Sequence, residues 1–262
     1  MAQEMIPRRL FVACAFLILL LYGGLIVSLF YFFEWPLVSR TLLSPRTLFS
    51  VRLSLVAATS ATILSLAVAV PAAYALSRYE FRAKRWIEAM LEFPLVVSPA
   101  ALGAMLLIFF QNPLGSWIQK TWVSFVFTPH GIVLAQFVTT AGLATRLLKA
   151  VMDEIPPRYE MVARTLGANP LVSFLTITLP MSKRGIIAAT VLTWAKAMGE
   201  FGASITIGGS MAMRTETLPI AIFMRLSTAD IEGSVILILI LISIGLIPLF
   251  IVRELGRARL NA

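Results

Sequence analysis

Lys196 and Glu200 are the residues of this 262-residue chain whose types and spacing most directly suggest chemistry. They lie four apart, on one helical face, within an apolar run where charge is expensive and faces a partner or water. Two readings fit. One is an internal ion pair in the cytoplasmic third of the span that only holds the helix; the other is a cation that draws an anion through the membrane. Gly199 and Gly202 flank the pair together with Phe201, and Gly208 and Gly209 follow. Glycines at this density permit close helix contact or local unwinding at a gate. Enzymatic chemistry finds no comparable set. The chain has no Gly-x4-Gly-Lys-Ser/Thr string to cradle a nucleotide's phosphates, no motif holding a Ser/His/Asp set, and no acid in the interior of a span besides Glu200, with Glu92 and Glu232 lying at span ends. Cys14 and His130 are each alone, which excludes an internal disulfide and a cysteine-based metal cluster. Cys14 reads as a small packing residue and His130 as a loop or helix-end residue. No catalytic residue, metal or cofactor is expected.

The elements that position these residues follow from composition. Hydrophobic residues make up 59% of the chain and charged residues 13%, about half the charge of a soluble domain. Lipid is therefore the main solvent. A net charge of +9 would suggest nucleic acid on a soluble protein, but here the basic residues sit at the ends of apolar runs, where they meet anionic headgroups and fix topology. A helix needs about 20 apolar residues to cross the hydrocarbon core. Six stretches qualify, near 10–32, 51–77, 90–111, 128–148, 184–209 and 232–252. Arg8 and Arg9 before the first run resemble a signal peptide, yet 24 residues without a charge exceed a signal core of about 7–15, so an uncleaved span is expected.

With the N-terminus inside, the inner segments hold fifteen Lys and Arg (Arg8, Arg9, Arg78, Arg82, Lys84, Arg85, Arg146, Lys149, Arg158, Arg164, Lys183, Arg184, Arg253, Arg257 and Arg259). The outer segments hold six: Arg40, Arg46, Arg52, Lys120, Arg214 and Arg225. That asymmetry places both termini in the cytoplasm. Span two mixes Ala, Ser and Thr with branched residues, a composition suited to close packing inside a bundle.

The segment between spans four and five is too polar to cross and too regularly punctuated for a floppy loop. Pro156-Pro157 opens a helix from Arg158 to Leu166, and Gly167 ends it in the left-handed conformation. Asn169-Pro170 caps and starts a second helix to about Thr178, and Leu179-Pro180 stops it. Two short helices at a glycine bend, anchored to spans at both ends, form a protrusion that can transmit a push from a soluble partner. The competing reading is an amphipathic loop lying on headgroups.

Ala163-x3-Gly167, nine residues, then Ile177-x-Leu179-Pro180 resembles the E-A-A-x3-G-x9-I-x-L-P loop of ABC-importer permeases. Tyr159-Glu160 and Ala163-Arg164-Thr-Leu-Gly167-Ala168 add to the likeness. The chain departs from the pattern where Met161 and Val162 stand in place of Glu and Ala, with Glu160 one place early. Trp194-Ala-Lys-Ala-Met-Gly-Glu-Phe-Gly-Ala-Ser204, then Arg214-Thr-Glu-Thr-Leu-Pro-Ile220, is similar to the sulfate, molybdate and tungstate permeases, as is Pro94-Leu-Val-Val-Ser-Pro99. The resemblance implies one all-α transmembrane domain over 1–262 with the type I importer permease fold, six helices of which 51–252 form the core. It implies a coupling loop over 156–180, in which Arg158, Tyr159, Glu160, Ala163, Arg164, Gly167, Ala168, Leu179 and Pro180 meet the ATPase. It further implies a homodimer in the cytoplasmic membrane, two ATP-binding cassette subunits, an external binding protein, and import of a tetrahedral oxyanion. Two alternatives stand beside it. One is a permease for another small solute; the other is a secondary transporter or channel, which would need coupling-ion carboxylates or a filter motif.

Overall fold

The computed structural model describes the backbone of residues 2–258 and the side chains of residues 9–250; Arg8, Arg253, Arg257 and Arg259 of the charge count lie outside those side chains. Helix α1 (Ala2–Leu29) continues through a 3-10 turn to α2 (Trp35–Leu42), and α3 (Pro45–Arg78) follows. Next come α4 (Lys84–Val96), α5 (Pro99–Gln111), the short α6 (Pro113–Thr121) and α7 (Pro129–Asp153). The segment between crossings comprises α8 (Arg158–Thr165), α9 (Pro170–Ser173), a π-helical turn (Phe174–Thr178) and α10 (Leu179–Met181). Then α11 (Lys183–Met198), α12 (Gly202–Gly208), α13 (Leu218–Ser227) and α14 (Ile231–Ala258) complete the chain. Among the described residues there is no strand.

Four stretches are long and apolar enough to cross a membrane: Arg9–Phe32, Pro45–Arg78, Pro129–Asp153 and Ile231–Phe250. Two bent pairs, α4 with α5 at 109° and Pro170–Met181 with α11 at 75°, bring the number to as many as six where each pair counts as one span. The third span is thus not the straight helix expected over 90–111. Val97 and Ser98 are extended, because Pro99 disfavours helix in the residue before it. The fifth is not one helix over 184–209 either, since α11 ends at Met198 and α12 begins at Gly202.

Five helices start with one device, a Ser, Thr or Asn cap followed by proline. Ser44, Ser98, Asn112, Thr128 and Asn169 each accept a backbone N–H three residues on. The cap satisfies one orphan donor, and proline has no N–H to leave unsatisfied.

The core is a seam of small residues. Ala57, Ala58, Ala61, Ala69 and Ala73 of α3 are fully buried, and Ala69 and Ala73 pack with Ala144 and Leu148 of α7 and Ala189 of α11. Ser65 and Thr140 hydroxyls meet across the seam at 3.0 Å. Close backbone approach replaces the hydrophobic drive that lipid does not supply. α1 contributes little: its apolar window is 0% buried. Cys14, expected to pack, is exposed.

An ion pair clasps the end of the bundle opposite the α8–α10 segment. Glu216, with no exposed surface, accepts two bonds from Arg46, from Nε at 2.7 Å and from an Nη at 2.6 Å. Leu218 N–H donates to Ser54 Oγ at 2.7 Å beside it. Arg46→Ala strands a buried carboxylate. The Arg46 side chain is half exposed, so solvent screening limits the loss to about 2 kcal/mol. The expected outcome is a lower melting temperature in detergent than for Arg40→Ala, measured by intrinsic fluorescence; equal melting of the two would contradict the clasp.

Candidate functional site

The first candidate is the α8–α10 knob. α8 spans Arg158–Thr165 and ends in a Schellman turn: Ala168 N–H donates to Ala163 O at 3.0 Å, and Gly167 holds φ +93°. A Cβ on Gly167 would meet nothing within 4 Å, so glycine is there for its backbone angle rather than for space. The second helix does not stop at Leu179-Pro180 as expected. Leu179 N–H reaches back five residues to Phe174 O, and this wider turn carries the chain past Pro180 to Ser182, where the 75° bend to α11 falls. A π-turn accommodates a ring that would clash with an ordinary i–4 carbonyl.

Glu160 is the buried centre of this knob, 3% exposed. Its Oε1 accepts from Arg78 Nε at 2.7 Å and from the Thr178 hydroxyl, and its Oε2 from Tyr74 Oη at 2.8 Å. Arg164 stands 3.9 Å away. Arg78 also donates to the carbonyls of Met152, at 3.1 Å, and Ile155, at 2.9 Å. One carboxylate therefore ties α8 to the end of α3, to the π-turn and, through Arg78, to the end of α7. Burial alone would raise its pKa, but donors from Thr178, Arg78 and Tyr74 and the Arg78 charge outweigh burial and hold the carboxyl below its usual range. Outside this hub the surface mixes apolar side chains with the exposed Arg158 and Arg164. Leu166 is 84% exposed, and Tyr159, Met161, Val162 and Leu171 are exposed around it. Arg158 lies over the Tyr159 ring at 5.3 Å. Pro180 is exposed, whereas Ala163, Ala168 and Leu179 are half-buried.

The second candidate is the break between α11 and α12. Lys196 Nζ donates to Glu200 Oε2 at 3.1 Å, and Ala203 N–H donates to Glu200 Oε1 at 3.1 Å. Glu200 thus spans the break, closing α11 and capping α12. Lys196 stands 13 residues along α11 from Lys183, about 20 Å, next to the end of that helix at Met198. Glu200 is buried, yet the Lys196 side chain is 44% exposed, and Gly199 is exposed beside it. Phe201 packs against Phe223 with the rings tilted by 45° and their centroids 5.0 Å apart. The two breaks touch: a Cβ on Gly202 would lie 2.9 Å from Ala100 N, and one on Gly103 2.8 Å from Ala203 O. Among the described residues, no three His, Cys, Asp or Glu gather to hold a metal ion.

The knob residues and the Lys196 group are separate assemblies at the two ends of α11. Sequence reading singled out Glu160 but missed Tyr74, Arg78 and Thr178; Arg78 counted only as a topological charge. Ser98-Pro99 was noted for its likeness to other chains, not as the cap-plus-proline signal that would have located the break beside Gly202.

Helices broken inside an otherwise apolar bundle, with a bent knob fastened to the ends of its spans, define a multi-spanning α-helical membrane protein. The chain belongs to the family described as the binding-protein-dependent transport system inner membrane component, which it matches over residues 61–260. It is 34% identical over 215 residues to the molybdenum transport system permease protein ModB of Escherichia coli, covering 79% of this chain and 93% of that one. It is 28% identical over 241 residues to the sulfate transport system permease protein CysT of the same organism, covering 91% and 87%. Its structure is similar to a chain of a bacterial ABC transporter involved in the import of the acidic polysaccharide alginate, with TM-score 0.77, 15% identity, and 97% and 95% of the two chains covered. The fold is that of a type I ABC importer permease, and the chain is a multi-pass inner-membrane protein.

Removing Arg78 tests the hub. Arg78→Ala leaves the Glu160 carboxylate buried with two neutral donors, at a cost of about 3 kcal/mol. Amide exchange across 158–166 is expected to quicken while α5 and α12 are unchanged. Exchange unaltered in α8 would show that Arg78 does not fasten it. Since the folded pKa of Glu160 is depressed, its contribution is complete above the ordinary carboxylate pKa and fades only as pH falls through the lower folded value.

Proposed function

We propose that this chain is the translocating subunit of an ATP-driven importer of a tetrahedral oxyanion (molybdate or tungstate, with sulfate as the nearest variant). The observation that carries the substrate class is Lys196, a partly exposed cation on a membrane span whose partner Glu200 also serves the N–H of Ala203. A charge so placed faces water or protein rather than lipid, and the names of the molybdenum and sulfate relatives point to the same class of anion. In this reading two copies pack as a homodimer with the route between them, lined near Lys196, Gly199, Glu200, Phe201 and Gly202. Both termini are cytoplasmic. A separate ATPase subunit grips each knob, at Arg158, Tyr159, Glu160, Ala163, Arg164, Gly167, Ala168, Leu179 and Pro180. A substrate-loaded external protein docks on 33–50, 112–128 and 210–231.

Mechanically, closure of the ATPase pair moves the knobs. Glu160 and Arg78 pass that motion to α3 and α7, and the bend at Ser182 passes it to α11, whose far end carries Lys196. The Glu200 bridge then shifts α12 and, through the close contacts at Gly103 and Gly202, α5.

Two substitutions test this. Gly167→Val forces a β-branched residue into a left-handed angle costing about 1–2 kcal/mol. It is expected to abolish coupled uptake in proteoliposomes with the ATPase and binding protein, whereas Gly167→Asn, which tolerates that angle, retains most of it. Full coupled uptake by the valine variant would sink the lever. Lys196→Ala is expected to lower radiolabelled molybdate uptake at least tenfold with ATPase docking intact; undiminished uptake would leave Lys196 a structural partner of Glu200.

A further inference from the structure

Helix α4 is the first half of the bent third span, and a lever that runs from the knob along α11 leaves it out. It is held differently from the helices of the alanine seam. No residue of α4 is buried, and α7 is the helix it packs against. The two backbones come close at one place, where Leu91 O would lie 2.7 Å from a Cβ on Gly142. Beside that contact an open recess of about 300 Å³ separates the helices, and charged side chains cross it. Glu92 stands 3.6 Å from Arg146, and Glu88 stands 3.7 Å from Lys149. Both acids of α4 are thus turned to α7.

The contacts of Lys149 continue away from α4. Its Nζ donates to Asp153 Oδ2 at 2.8 Å, and Asp153 Oδ1 accepts from the Ser77 hydroxyl at 2.5 Å. Ser77 Oγ accepts from an Nη of Arg78 at 3.0 Å, and Arg78 Nε donates to Glu160 at 2.7 Å. An unbroken file of polar contacts therefore runs from the buried carboxylate of the knob, over the ends of α3 and α7, to the second turn of α4. At its far end α4 turns through 109° into α5, and Ala100 of α5 lies against Gly202 at the Lys196–Glu200 break.

We infer that Lys149 and Asp153 are positioning residues for transport. They carry displacement of the knob to α4, and the bend at Val97–Ser98 delivers it to the break through α5, on a second path parallel to α11. The inference rests on the lever reading of the knob. Each outer pair is weak singly, because it is partly exposed and screened. The file nevertheless has a buried root at Glu160, and contiguous contact of this kind is what coupling between distant sites requires.

The test uses the assembled transporter, with ATPase and binding protein, in proteoliposomes and in a Cys14→Ser background. An environment-sensitive thiol dye is placed on α4 through Met90→Cys or on α11 through Ile187→Cys, both exposed positions. Its emission is read as ATP and vanadate trap the ATPase. Both dyes are expected to respond when Lys149 is present. Lys149→Gln is expected to cut the α4 response, and the molybdate taken up per ATP hydrolysed, roughly threefold while the α11 response persists. Lys149→Arg, which keeps the charge, restores both. An α4 response or an uptake ratio undiminished by Lys149→Gln overturns the proposal. So does an equal loss at α11, which would make Lys149 a support of the whole fold. With Lys149 present, a silent α4 dye beside a responding α11 dye overturns the second path and leaves the lever standing; silence of both dyes takes the lever with it.

Discussion

A lipid bilayer offers no water to a broken helix, and every feature of this chain is arranged around that constraint. The breaks at Val97–Ser98 and Gly199–Phe201 each release backbone groups. The chain answers with its own side chains: Ser98 accepts the N–H of Ala101, and Glu200 accepts that of Ala203. It then places the two breaks together, so that Gly202 and Gly103 let the backbones of α12 and α5 cover each other. Unwound chain is tolerated within a bilayer only where it is packed against protein or faces a cavity, and here each break is packed against the other.

At the other end of α11 a different economy operates. The knob is small, with little apolar core of its own, and its position is fixed by a single carboxylate with three close donors. Because Arg78 reaches two main-chain carbonyls as well as Glu160, displacement of α8 cannot leave the ends of α3 and α7 where they were. Stiffness here comes from charge-assisted bonds in a buried place, which are short-ranged and directional, whereas along the α3–α7 seam it comes from the closeness of alanine backbones.

Much of this was legible in the residues. Apolar run length located the four unbroken membrane-length helices and fell on both bent pairs, and the proline–glycine punctuation of 156–170 gave the knob its first helix, its left-handed turn and its second cap. What sequence could not supply were contacts between remote positions. Nothing near Arg78 says that it meets Glu160, 82 residues on, and nothing near Arg46 points to Glu216. The straight third span failed for a different reason. Hydropathy averages over a window and is blind to a two-residue interruption, although Ser98-Pro99 repeats the pair that begins four other helices. The π-turn before Pro180 was illegible because proline reads as a stop unless the preceding turn has room to widen.

The early placement of the knob's carboxylate has one more consequence. With Glu160 turned inward, the next two residues on α8 are Met161 and Val162, and Leu166 stands almost bare at the tip. The tip thus presents apolar side chains, Leu166 foremost, with the exposed Arg158 and Arg164 beside them. A contact confined to that apolar tip would depend on shape and dryness more than on ionic strength, which screens an ion pair.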